Sequence, residues 1–412
     1  MGRYIDIEKK SGEKFSAYLA EPEHGSGPGL VLLQEIFGIN DYMRDMAERY
    51  AEEGYVVLVP DLFWRSEHRL ELGYDETGFT RGLQLRDELD LDSAIEDIGD
   101  TVERLRGLDN HAGGVGATGY CLGGLLAYLA ALRLPIQCAV SYYGVGVHEH
   151  LEQAGELSIP MVFHLAELDH WCPAPARRTI RAAFAGNDKV RIYEYPGVDH
   201  AFGTHGRDTY EPLSAGMAYS RTLEVIRQTI GPRYDLSALW DSHIYYEFEA
   251  RDVPSTMATM VDEPYVNHIP TMTGGVGQQD LSRFYAHHFV HSNPADTRSI
   301  PISRTIGADR IVEEELFCFT HDREIDWMLP GIAPTGRYVE VPLVAIVTFR
   351  GDKLYNEHIY WDQASVLVQI GLLDPAGLPV AGIETARKLL DKTQPSNELM
   401  ANWATSEGKP IQ

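Results

Sequence analysis

The 412-residue sequence has few cysteines, few cations for its acids and no long apolar run. Its four cysteines, Cys121, Cys138, Cys172 and Cys318, stand far apart with no CxxC pair. That spacing suggests neither a disulfide framework nor a zinc knuckle, and it fits a reducing compartment. Thirty-five Lys and Arg face 61 Asp and Glu, a formal net charge of −26. Such an excess repels phosphate backbones and anionic bilayer surfaces, so neither nucleic acid nor membrane is expected as a partner. No run approaches the roughly 20 apolar residues that span a bilayer, and the opening "MGRYIDIEKKSGEKF" lacks the apolar core of a signal peptide. A cytoplasmic protein is expected.

What is present is an ordinary globular composition, 44% hydrophobic and 23% charged, in a chain long enough for two domains. After a hairpin pattern ("RYIDIEKKSGEKFSAYLAEP"), the first half alternates short apolar runs ("GLVLLQE", "YVVLVPDL", "VGATGY", "CAVSYYG", "MVFHLAE", "VRIYEYP") with stretches of helical periodicity. Those stretches are "NDYMRDMAERYAEEG", "SAIEDIGDTVERLRG", "GGLLAYLAALRL" and "PARRTIRAAFAG". The pattern predicts an α/β fold, a mostly parallel sheet flanked by helices, over residues 1–232. A last helix, from about Glu211 to Ile230, stops at Gly231 and Pro232. Over 235–392 helical segments ("LSALWDSHIYYEFEARD", "QDLSRFYAHHFV") precede long alternating runs, which predicts an α+β domain. "RIVEEELFCFTHDREIDWML", "RYVEVPLVAIVTFRG" and "KLYNEHIYWDQASVLVQIG" are those runs, the last two joined by a turn at Gly351 and Asp352. Residues 393–412 read as a polar tail.

"TGYCLGG" (118–124) has the outline of the strand-to-helix elbow that presents a nucleophile in α/β-hydrolases, with Cys121 where serine usually stands. Gly119 and Gly123 supply the lack of bulk that the turn requires. Downstream, Asp169 follows the apolar run "MVFHLAEL" and His200 follows "VRIYEYPGVD", giving the order nucleophile, acid, histidine. In that order His200 accepts the thiol proton and Asp169 fixes its tautomer, while the N–H groups of Leu122 and Ile36 serve as oxyanion donors. Asp199 is the competing acid, but it adjoins His200 and points awkwardly for the role.

"QEIFGIN" (34–40), "GYCLGG" (119–124), "YYGVG" (142–146), "HLAELDHWCPAP" (164–175) and "YPGVDHAF" (195–202) resemble, in order and spacing, the blocks of dienelactone hydrolases, also called carboxymethylenebutenolidases. The resemblance spans about residues 1–230. It implies a Cys121-Asp169-His200 triad without cofactor or metal, acting on a small lactone or ester. It also implies that Glu35, released from a cationic partner by substrate, deprotonates the resting thiol. The family's two carboxylate-gripping arginines fall here at Phe79 and Thr204, with Arg81, Arg86 or Arg207 as possible replacements. Phe37, Phe79, Arg81 and Trp171 are the expected substrate contacts.

"APTGRYVEVPLVAIVTFRGDKLYNEHIYWDQASVLVQIGLL" (333–373) resembles the SnoaL-like branch of the NTF2-like α+β cone fold. That resemblance implies a general acid/base at Asp362, with His358 on the same strand face for proton transfer. Either this domain isomerises or cyclises a related substrate, or it is a ligand-holding or dimerisation module, so a homodimer through it is expected. Gly114, Gly116 and Gly119 have GxGxxG spacing, but an elbow follows where a dinucleotide helix should open. "HEH" (148–150), "HHFVH" (287–291) and "HDREID" (321–326) lack a complete metal-ligand set.

Overall fold

The computed structural model describes residues 2–23 and 25–411, so Gln412 of the expected tail lies outside them. The chain divides into two compact units, residues 1–234 and 235–412.

In the first unit the opening hairpin is β1 (Arg3–Glu8) and β2 (Lys14–Ala20). It is followed by β3 (Gly27–Leu33), α1 (Asp41–Glu52), β4 (Val56–Pro60), α2 (Glu76–Glu88), α3 (Leu91–Arg106), β5 (His111–Tyr120) and α4 (Leu122–Arg133). The unit closes with β6 (Cys138–Tyr142), β7 (Met161–Ala166), α5 (Ala174–Ala183), β8 (Val190–Tyr195) and α6 (Pro212–Ile230). The sheet order is β1-β2-β4-β3-β5-β6-β7-β8. Pairing is antiparallel as far as β4 and parallel from there to β8. Strands β3, β4, β6 and β7 are buried along their whole length, which is why they read as continuous apolar runs rather than alternations. This is the α/β-hydrolase type of architecture.

Local chemistry sets the helix starts. Asn40 accepts from the Met43 N–H at the head of α1, and Asp90 from Ser93 at the head of α3. Helix α2 was hidden in the sequence because it buries only Gly78, Gly82 and Leu85, too thin a stripe to show a period. The chain places β4 on one side of β3 and then crosses to place β5 on the other. Such a reversal opens a crevice beyond the carboxyl ends of the two strands, and the loops that leave it begin at Gln34 and Cys121.

The second unit contains α7 (Leu236–Ile244), α8 (Val253–Ala258), β9 (Met260–His268), β10 (Thr273–Val276), α9 (Gly277–Phe284), β11 (Arg298–Ile306), β12 (Arg310–Thr320), β13 (Tyr338–Arg350), β14 (Lys353–Trp361), α10 (Gln363–Gln369) and α11 (Glu384–Leu390). Its sheet runs β10-β9-β14-β13-β12-β11 and is mixed, because β9 pairs with β14 in parallel. Arg350 pairs with Lys353 across the expected two-residue turn. Two runs end earlier than their alternation suggests. β12 stops at Thr320, and "HDREIDWML" leaves the sheet. β14 stops at Trp361, because the Asp362 carboxylate accepts from the Ala364 N–H and starts a helix. Residues 391–411 are exposed throughout, with one short helical turn at Trp403–Ser406.

Candidate active site

Strand β5 ends directly in the elbow. Cys121 has φ 55° and ψ −114°, a conformation costly for any residue with a Cβ, and α4 starts at the next residue. The packing that enforces it is close. A Cβ on Gly119 would lie 1.9 Å from the Gly123 carbonyl oxygen, and one on Gly123 would lie 2.2 Å from that of Leu33. The Gly123 N–H donates to the Gln34 carbonyl at 3.0 Å, tying the first turn of α4 to the end of β3. Cys121 is therefore held with the N-terminus of α4, buried from Leu122 to Ala131, behind it, where partial positive charge accumulates.

His200 Nδ1 lies 2.8 Å from Asp169 Oδ2, and the other carboxylate oxygen accepts from the Trp171 N–H at 2.8 Å. The imidazole interacts electrostatically with the Cys121 sulfur. All three side chains are at least nine-tenths buried. Asp199 does not compete for the ring, since its carboxylate accepts from the backbone N–H of His200 at 2.6 Å. The Leu122 N–H is in the first turn of α4, where no intrahelical acceptor exists. Among the described turns and loops the Ile36 N–H is given to no backbone carbonyl.

Glu35 is buried beside this line. Its Oε1 accepts from the Thr204 hydroxyl at 3.3 Å, and the Tyr143 hydroxyl stands 2.8 Å from the same threonine oxygen. Thr204, at a position where the resemblance implies an arginine, is thus spent on Glu35 and sealed from solvent. Burial raises the Glu35 pKa, against the opposing charges of Arg207 and His200 and the hydrogen bond from Thr204. Arg207 also lies over the rings of Phe37 and Tyr74, at 5.2 and 5.0 Å from their centroids.

A cleft of about 160 Å³ sits over the sulfur. Phe37, Phe79 and Trp171 line it, as do Arg86, Arg207 and His170. Arg86 is held over the Trp171 ring, 5.4 Å from its centroid. Arg81 does not line the cleft; its guanidinium faces Gln84 at 3.5 Å and Glu67 at 3.7 Å. One turn of α2 separates the two environments: Phe79, Leu83 and Arg86 fall on the cleft side, and Arg81 does not. Leu83 and His170 were missed in the sequence, because α2 itself was not recognised and His170 carried no motif.

In the second unit, Glu357, Ile359 and Trp361 are the buried side of β14. His358 belongs to the opposite face, within 3.4 Å of the Asn356 amide, and Asp362 is an exposed helix cap. The expected Asp362–His358 pair is corrected accordingly: the two do not share a pocket. The phase of the strand was misread by one residue, and a period of two turns one residue into the wrong face.

Burial opposes charge on His200, but Cys121 and Asp169 outweigh it and push the pKa up to about 10. The unfolded value is near 6.5. This group therefore adds stability below about pH 6.5, and the contribution is lost as pH climbs through about 10. Denaturation midpoints of wild type and Asp169→Asn should differ most near about pH 6 and converge toward about pH 10. A gap that stays constant over that range would exclude a charged His200 in the native state.

The fold and its chain order belong to the α/β-hydrolase class. Within that class, the family model for the dienelactone hydrolase family matches residues 15–230, just over half of the chain. The chain belongs to the dienelactone hydrolase family, and it is a hydrolase of that type. The carboxymethylenebutenolidase of Pseudomonas sp. strain P51 is 36% identical over 225 residues, 54% of this chain and 94% of its own. Carboxymethylenebutenolidase 1 of Cupriavidus pinatubonensis is 31% identical over 229 residues, 55% of this chain and 97% of its own. A Klebsiella pneumoniae crystal structure described as "Putative Dienelactone Hydrolase" is 29% identical, with a TM-score of 0.50 over 55% of this chain and 98% of its own. No helix among the described residues is long and apolar enough to cross a membrane.

Proposed function

We propose that the N-terminal unit hydrolyses lactones, enol esters or comparable activated carboxylic esters through an acyl-enzyme on Cys121. The observation that carries this is the convergence of Asp169, His200 and the positive-φ Cys121 at the mouth of one cleft. Substrate draws Arg207 away from Glu35, and the carboxylate, no longer offset by that cation, takes the thiol proton. The thiolate attacks the carbonyl carbon, and the N–H groups of Leu122 and Ile36 receive the oxyanion. Collapse breaks the C–O bond, and the leaving alkoxide or enolate takes a proton from His200. Water then attacks the thioester and gives its proton to His200; collapse frees the carboxylic acid, and the departing thiolate recovers its proton from Glu35.

Arg86 and Arg207, the two guanidinium groups at the cleft, favour esters that carry a second, anionic group. The screen that tests this pairs neutral aryl esters and lactones with carboxylated ones. Wild type should turn over both, and Arg86→Ala should raise KM for the carboxylated set about 10-fold or more while leaving the neutral set within about 2-fold. No turnover of any ester or lactone by wild type would overturn the hydrolase reading. An equal effect of Arg86→Ala on both sets would remove only the anionic preference.

For the second unit, the mixed sheet whose buried face lines a cavity of about 270 Å³ supports a SnoaL-like, NTF2-type cone reading over residues 235–392. Aromatic side chains, Trp240, Phe248, Phe289, Phe317 and Trp327, form part of the cavity wall beside several acids, as suits a cyclic ligand with a polar edge.

A further inference from the structure

We propose that His243, Glu247 and Glu357 form a binding site for a first-row divalent cation, with its remaining coordination positions open to the second unit's cavity. This goes beyond the hydrolase reading and does not depend on it. The three side chains come from α7, from the five-residue π-helical turn Tyr245–Glu249 that continues it, and from β14. All three are buried, and one ligand atom from each lies within 4.8 Å of the others. Both carboxylates line the cavity.

One ligand atom of this cluster, Glu357 Oε1, is buried without a directed hydrogen bond. The Thr259 hydroxyl gives its proton to the Thr256 carbonyl at 2.6 Å, so toward His243 Nδ1, 2.6 Å away, it is an acceptor. Nδ1 therefore carries a hydrogen, and Nε2 is the ring atom turned toward the carboxylates. Nε2 faces Glu247 Oε1 at 3.1 Å and Glu357 Oε1 at 3.1 Å, so three potential ligand atoms converge on one point. A proton on Nε2 serves one oxygen. It is directed at Glu247, which leaves Glu357 Oε1 within ion-pair range but with no directed hydrogen bond. The buried Tyr285 hydroxyl, at the start of a second π-helical turn (Tyr285–Phe289), stands beside both carboxylates and acts on each. The largest influences on Glu247 besides burial are the charges of His243 and Glu357, and Glu315 adds a further acidic group nearby.

A divalent ion satisfies all three ligands at once and leaves the cluster electrically neutral, the favoured state in a low-dielectric interior. The distances fit. Bonds of about 2.2 Å at right angles put adjacent ligand atoms about 3.1 Å apart, the separation from Nε2 to each carboxylate oxygen. One imidazole with two carboxylates suits Zn²⁺, Mn²⁺ or Fe²⁺ rather than Ca²⁺, which takes oxygen ligands. The Nδ1–H to Thr259 hydrogen bond is the outer contact that orients a metal-bound imidazole. The second titratable cluster, Asp169 with His170 and Asp199, carries no such argument, because Asp169 is engaged by His200 and by the Trp171 N–H.

The test uses the full, untagged chain, stripped with a chelator and dialysed against Zn²⁺ or Mn²⁺, with Ca²⁺ in parallel. Metal analysis after desalting should find about one Zn²⁺ or Mn²⁺ per chain and no Ca²⁺, and bound metal should raise Tm. One equivalent of Co²⁺ should give a visible d–d band in wild type, a readout that needs no variant. Glu357→Gln and His243→Gln should weaken binding about 100-fold or more, while ester hydrolysis by the first unit stays at the wild-type rate. The proposal is overturned by wild type that retains no Zn²⁺ or Mn²⁺ and shows no cobalt band. It is equally overturned by metal that either variant, shown folded by circular dichroism, holds as tightly as wild type.

Discussion

Cys121→Ala is expected to lower kcat/KM for every ester the protein turns over by about 10⁴-fold or more, the loss seen when a nucleophile is removed from a preorganised triad. Thiol alkylation that inactivates wild type should at the same time disappear from the cleft. Packing is not the cause of the predicted loss, since the sulfur reaches the cleft and the change removes one atom. Relief of part of the strain at φ 55° is also unavailable, because alanine keeps the Cβ. Tm should therefore move little. Cys121→Ser keeps the geometry but replaces a readily ionised thiol by a hydroxyl that Glu35 and His200 are not arranged to deprotonate, so it should remain severely impaired. Residual activity of Cys121→Ala within about 10-fold of wild type would show that another group attacks the carbonyl.

The largest expected loss of stability comes from Gly119→Ala. Its Cβ would sit 1.9 Å from the Gly123 carbonyl oxygen and 2.3 Å from the carbonyl carbon. Both are backbone atoms at the crossing of β5 and α4, and neither can turn aside as a side chain would. Relief requires the strand and the helix to separate in a part of the core that is buried on every side. A cost of about 4 kcal/mol or more is expected, read as a collapse of the urea midpoint or of the soluble yield. Gly216→Ala in α6 is the matched control. Nothing lies within 4 Å of its Cβ, and a helical glycine replaced by alanine should gain up to about 1 kcal/mol. Equal behaviour of the two variants would mean that the elbow is not held by this contact.

The difference between these sites and the cation cluster explains what could be read in advance. The elbow is local: two glycines flank Cys121 between a strand and a helix, and each requirement acts within a few residues. The parallel sheet was legible for a similar reason, since strands covered on both faces have no choice but to be apolar throughout. Helix α2 was not, because three small contacts produce no periodic stripe. Its omission hid which of Phe79, Arg81, Leu83 and Arg86 turn toward the cleft.

The second unit shows the opposite case. Along β14 both alternating sets mix polar and aromatic residues, Asn356, His358 and Tyr360 against Glu357, Ile359 and Trp361, so hydropathy does not mark the buried side. Irregular pairing between Leu354 and Asn356 shifts the phase further. Asp362 looked like a catalytic acid, yet its carboxylate is used one residue beyond the strand to start a helix. Glu247 and Glu357 carried no motif, being separated by the whole of the sheet's connectivity.

By itself the sequence determined the hydrolase architecture of the first half, the strand-to-helix elbow at Cys121 and the chain order in which Asp169 and His200 follow it, because sterics and chain direction are local properties. Only the tertiary structure decided which arginines reach the cleft, that Thr204 is spent on Glu35, and that the neighbouring pair His243 and Glu247 meets the distant Glu357. Those outcomes depend on strand phase, helix rotation and the convergence of remote segments, none of which any short window of residues contains.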